Sequence, residues 1–156
     1  MTDKCIDFFK TLNEKQVLLL LIGMTLALRL YAVVMAQGIA FDSAGYGFWA
    51  RDFLKGHFIE GLSAPAPPLY PFLISLLSPD TAHVEIAGRL LSLFFGTIAI
   101  IPLFYLIKGA VGQKEAMFSG LFYSFHPYLV TYSGMLLTEA TYWGYSFCRS
   151  IFSGRG

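Results

Sequence analysis

Apolar residues fall into long blocks along this chain, joined by short polar stretches. Residues 1–16 are polar and carry Lys4, Lys10 and Lys15. Val17 to Ala36 then runs for 20 residues, broken only by Arg29. At the helical rise such a run covers roughly 30 Å, the thickness of a hydrocarbon core. Leu90 to Ile107 is a second block of 18 apolar or small residues without a charge, with Arg89 at its start and Lys108 closing it. A third, Ala116 to Leu137, has 22 residues and carries His126-Pro127 in its middle, where a kink is expected. After Thr138-Glu139 a fourth block, Ala140 to Cys148, ends at Arg149 after nine residues, under half a bilayer. The pattern predicts an all-α, polytopic helical membrane protein with spans over about 17–36, 89–107 and 116–137 and a partial fourth over 140–148. The early stop reads as a chain cut short or frame-shifted, with 149–156 as its tail. A cleaved leader is the rival reading of the first block, because Val34-Met35-Ala36 has the small-residue look of a cleavage site. Arg29 inside the run, and the spans that follow, favour an anchor.

Residues 38–85 form the longest polar segment, with five acids and two basic residues. Within it Tyr46, Trp49, Ala50, Phe53 and Leu54 fall at i, i+3, i+4, i+7 and i+8, one apolar stripe with Arg51 and Lys55 on other faces. A short helix in the headgroup plane is expected, burying Trp49 and Phe53 in lipid and ending at Gly56. Pro65-Ala66-Pro67-Pro68-Leu69-Tyr70-Pro71 predicts a rigid extended stretch. Phe72 to Leu77 is too short to span and reads as interfacial or re-entrant, ending at Ser78-Pro79-Asp80.

Composition agrees. The chain is 56% hydrophobic and only 13% charged, where soluble domains average about a quarter charged. A net charge of +1 excludes a strongly basic nucleic-acid binder. Cys5 and Cys148 sit at opposite ends without metal-ligand spacing and read as free thiols. Lysines in residues 1–16 and at 108 and 114 put those segments on the cytoplasmic side. The 38–85 loop and Thr138-Glu139 then share the outer face of a cell (inner or plasma) membrane.

Asp42 is the first acid beyond the first block. It has two readings, a helix cap and a general base that takes a proton from an attacking hydroxyl. Arg29, about 10 Å from the outer end of its span, either faces the bundle interior or snorkels to the headgroups. Arg51, Lys55, His57 and Arg89 are outer cations that can meet anionic lipid or bind a phosphate. Glu60 and Glu139 are possible second acids; the alternatives are a solvated loop acid and a helix-start acid. His126 reads as a packed polar residue, and no second His or Cys at metal spacing accompanies it. No Walker motif, Gly-rich phosphate loop or Ser-His-Asp pattern is present.

Taken together these residues resemble the N-terminal part of the GT-C glycosyltransferases of the protein O-mannosyltransferase and aminoarabinose-transferase type. The resemblance covers roughly residues 17–145. It is carried by Arg29, Asp42, Tyr46, Ala50, Leu54 and Gly56, then Pro67-Pro68-Leu69-Tyr70-Pro71, Gly88-Arg89-Leu90, and His126-Pro127 with Tyr132-Ser133 and Leu137-Thr138-Glu139. Ser43 stands where many such enzymes have Glu, and Ala66 where some have Lys or His. The resemblance implies inverting transfer of a sugar from a polyprenyl-phosphate donor to an acceptor hydroxyl of a protein, lipid A or an envelope glycan. Asp42 would be the base and Arg89 the first phosphate ligand. Such enzymes are longer and draw much of the donor site from later helices, so this stretch alone is expected to be inactive. The rival from another class is a non-catalytic membrane protein, a transporter or flippase piece or an assembly subunit, in which Asp42 only caps a helix.

Overall fold

The computed structural model describes residues 13–35, 41–63, 67–133 and 149. Among them eight helices follow one another without a strand: α1 Glu14–Met35, α2 Phe41–Leu54, α3 Phe58–Leu62, α4 Leu69–Leu77, α5 Val84–Ile98, α6 Ile100–Ala110, α7 Gln113–Phe125 and α8 Pro127–Ser133. Glu139, both cysteines and the partial span 140–148 lie outside the described residues.

Among the described residues two helices are long and apolar enough to cross a membrane, Glu14–Met35 and the 27-residue Val84–Ala110. The second is α5 and α6 joined through Ala99, whose backbone stays helical. Pro102 explains the joint, because it supplies no N–H for the carbonyl of Ile98 four residues earlier. The span therefore starts five residues before the expected 89, and Arg89 lies inside the helix rather than at its start. The two long helices are antiparallel. Lys108 pairs with Glu14 at one end, and Arg89 reaches the carbonyl of Val33 at the other.

The expected third span, 116–137, is not a single helix. α7 ends at Phe125, His126 turns extended (ψ 116°), and Pro127 opens α8. A proline forces this geometry on the residue before it. α7 returns parallel to α1 in matched register. Ala116, Gly120 and Ser124 recur every fourth residue and are buried, and on α1 so are Val17, Leu21, Thr25 and Arg29. A Cβ added to Gly120 would lie 2.7 Å from Leu21 Cδ1. The small residue is what lets these helices approach, as in packing within lipid.

α2 and α4 fold onto the N-terminal half of α5. Gly56 ends α2 as expected, with φ +80°, and His57 N–H reaches the Asp52 carbonyl in a Schellman closure. The stripe on α2 is real but faces inward: Tyr46, Ala50 and Phe53 are buried against protein, and Trp49 and Leu54 pack beside them. Tyr46 and Ala50 close a core with Tyr70 and Ile74 of α4 and Val84, Ala87 and Leu91 of α5, with Trp49 packed against it, so the headgroup-plane placement of Trp49 is corrected; Phe53 lies instead under the rings of Phe58 and Phe72. The extended run expected through Pro71 is corrected too. α4 begins at Leu69, and Pro71 sits in its first turn, where its missing N–H costs nothing.

Beside this apolar core a few polar groups are buried, and many large apolar side chains are not. Thr25, Arg29, Ser43, Ser92 and Ser124 are fully enclosed, while Leu19, Leu30, Tyr31, Val34, Phe94 and Phe122 stand exposed. Exposed apolar surface on this scale is what a membrane or partner surface presents.

Gly120→Val should therefore lower stability by about 1–3 kcal/mol through overpacking against Leu21, read as a lower unfolding temperature in detergent. Gly109→Ala, whose added Cβ meets nothing within 4 Å, should match or exceed the parent.

Candidate functional site

Arg29 organises the bundle interior. Its guanidinium is fully enclosed, so the snorkelling alternative falls. The Cζ atom lies 4.8 Å from the centroid of the Tyr123 ring, and Nη1 donates to the Leu129 carbonyl at 2.7 Å. Tyr123 belongs to α7 and Leu129 to α8, so one side chain holds both sides of the proline break. The Tyr123 hydroxyl donates in turn to the Gly96 carbonyl of α5 at 2.7 Å. A desolvated cation–π contact is worth about 2 kcal/mol or more, and a hydrogen bond from a charged donor about 1.5–3 kcal/mol.

One turn below, the Thr25 and Ser124 hydroxyls are 2.6 Å apart. Each is also in reach of its own helix's carbonyl four residues back, Leu21 and Gly120. With one proton apiece, one hydroxyl donates across and the other back to its own helix. On α5 the spacing Gly88, Ser92, Gly96 repeats the small-residue pattern, and Tyr70 uses it. Its hydroxyl is 2.5 Å from Ser92 Oγ and 3.3 Å from the Gly88 carbonyl.

Arg89 lies one turn further along the same face of α1, at Val33, four residues beyond Arg29. It donates to Glu85 Oε1 at 2.6 Å and to the Val33 carbonyl at 3.3 Å. Val33 is in the last turn of α1, where the carbonyl ends favour a cation. Arg89, read from the sequence as a cation for lipid headgroups or a phosphate, is a partly buried link between α5 and α1.

Asp42 is a helical residue of α2, directly after Phe41. Its side chain lies outside the described residues. The neighbouring Ser43 is 1% exposed, and its hydroxyl has no hydrogen-bond partner among the described residues. A carboxylate at that enclosed position would be costly, so the small residue suits the space. The remaining expected cations do not converge. Arg51 Nε donates to the Thr81 carbonyl at 3.1 Å, and Lys55, His57 and Glu60 are exposed on the turn into α3. His126 packs 5.2 Å from the Phe122 ring, consistent with a packed polar residue. No cluster of three His, Cys, Asp or Glu that could hold a metal occurs among the described residues.

No family model, curated protein or solved structure matches the chain.

The Thr25–Ser124 pair, Tyr123 and Tyr70 are the interior groups that the sequence reading missed. Their signal was available: Thr25 and Arg29 are one helical turn apart, and both small-residue series recur at intervals of four. Asp80 was read only as a terminator. Its Oδ1 accepts from the backbone N–H of Ala82 at 2.8 Å and of His83 at 3.0 Å, and lies 2.8 Å from His83 Nδ1. The His83 side-chain hydrogen bond, then its backbone N–H, hold the Asp80 carboxyl below the ordinary aspartate value.

A carboxyl depressed in the folded state adds order that is complete above the ordinary aspartate range and is lost as pH falls through its lowered value. Amide protection at Ala82 and His83 should fall over that acidic interval and be flat in Asp80→Asn. Protection that ignores pH in the parent chain would refute the linkage.

Proposed function

We propose that this chain is part of a multi-pass membrane glycosyltransferase that moves a sugar from a polyprenyl phosphate to an acceptor hydroxyl at the outer face. The observation that carries the proposal is the pair of arginines, Arg29 of α1 and Arg89 of α5, which reaches α1 one turn beyond Arg29, at Val33. They lie toward the end of the bundle from which the Asp42-bearing helix departs. A buried arginine inside an apolar helix is expensive and marks a functional interior or a required partner. The return of α7–α8 alongside α1 supports a third pass, and the Glu14–Lys108 pair supports one shared face for the lysine-bearing segments. α1 is also the central packing element of the bundle, which favours an anchor over a cleaved leader.

In this reading Asp42 accepts the proton of the acceptor hydroxyl as its oxygen attacks the anomeric carbon. The bond from that carbon to the phosphate oxygen breaks with inversion, and the lipid phosphate leaves with the electron pair. Cations at the membrane surface stabilise the departing charge. The exposed Lys55 and His57 and the partly exposed Arg51 are accessible for this. Arg89 can take part only by exchanging its contact with Glu85, so its first role is to position α5. Glu60 and Glu139 keep the place of possible second acids.

The rival reading, a non-catalytic membrane protein, is favoured by the same arginines insofar as each already serves neighbouring helices. Asp42→Asn separates the two. In the full-length protein reconstituted with a polyprenyl-phosphate sugar, transfer should fall about 10²- to 10⁴-fold. Undiminished transfer would remove Asp42 from the base role.

A further inference from the structure

Beside the core formed by α2, α4 and α5 lies an open groove of about 400 Å³ lined by Phe53, Phe58, Leu62, Pro68, Leu69 and Phe72, whose described lining presents no polar surface. Phe53 forms its floor, 6.0 Å from the Phe58 ring and 5.6 Å from the Phe72 ring. Gly61 is required there, because a Cβ would fall 2.8 Å from Phe53 Cζ. The edges carry exposed Phe58, Ile59, Leu62 and Leu69.

The depth of this groove is fixed by α4. That helix runs antiparallel to α5 after the turn at 78–83, and Tyr70 near its start meets Ser92. Ser92 lies eight residues beyond Val84, roughly 12 Å along the helix axis. The Pro68–Leu69 end is thus level with the charge-free stretch Leu90 to Ile107, not with the polar turn. On α5 that level bears an exposed apolar stripe of Leu90, Phe94 and Ile98. On α4, Leu69, Phe72 and Leu76 are exposed at matching helical spacing.

We infer that α3 and the Leu69 end of α4 dip into the outer leaflet and that the groove holds acyl chains of the surrounding bilayer. This inference rests on reading α1 and α5–α6 as membrane spans. The apolar surface of the long helix continues into the groove at one depth, so one solvent serves both. The exposed charges at Lys55 and Glu60 stand at the turn into α3 and on its first turn, where their stems let them reach the headgroups. The inserted edge is therefore α3–α4, and α2 is its inner support.

The test uses the full chain with Cys5 and Cys148 replaced by Ser. A single environment-sensitive label is placed at Leu62→Cys, Phe94→Cys or Thr81→Cys. Each protein is reconstituted in phosphatidylcholine vesicles whose acyl chains carry bromine. Labels at 62 and 94 should both lose most of their fluorescence to the brominated chains and resist aqueous iodide, while the label at 81 should do the reverse. Quenching at 94 with a water-accessible or unquenched label at 62 would overturn the groove assignment and leave the spans standing. No quenching at 94 would overturn the membrane reading and the inference with it.

Discussion

A guanidinium cannot be left alone in an apolar interior, and the bundle is arranged so that Arg29 is not. Tyr123 offers it a ring face and Leu129 a carbonyl, from the two sides of a break that Pro127 imposes. Tyr123 then fastens to Gly96. Four helices are tied through one side chain, and α1 can rotate little without abandoning its cation. The matched series Val17, Leu21, Thr25 and Arg29 against Ala116, Gly120 and Ser124 follows from that restraint. Small residues must face α1 where the backbones close up, and hydroxyls must find each other where water is absent.

The α2–α4 segment is held together differently. Its interior is aromatic and aliphatic, with Tyr46 edge-on to both Trp49 and Tyr70. Its polar contacts at the surface gather near the 78–83 turn, at Asp80 and at the Arg51–Thr81 contact. It packs closely where it meets α5 and is open where α3 projects.

Much of the architecture was legible in the sequence. Block lengths and the proline at 127 located the long helices and the break, because both act through local backbone geometry. The apolar stripe on α2 was found, but not the surface it meets; periodicity identifies a face without naming its partner. The helical start at Leu69 was hidden by four prolines in seven residues, which suggest extension unless one sits in a first turn. Arg89 read as a cation for lipid headgroups or a phosphate because pairing with Glu85 and Val33 depends on how α5 lies against α1. Arg29 could not be decided from depth alone. Only the approach of Tyr123 and Leu129, about a hundred residues later, fixes its direction.

The most direct measurement is a double-mutant cycle between Arg29→Met and Tyr123→Leu, read by reversible unfolding in bicelles. The two changes should be coupled by about 1–2 kcal/mol, since each alone removes the same cation–ring contact. Effects that add within about 0.5 kcal/mol would mean that Arg29 does not hold the bundle through Tyr123.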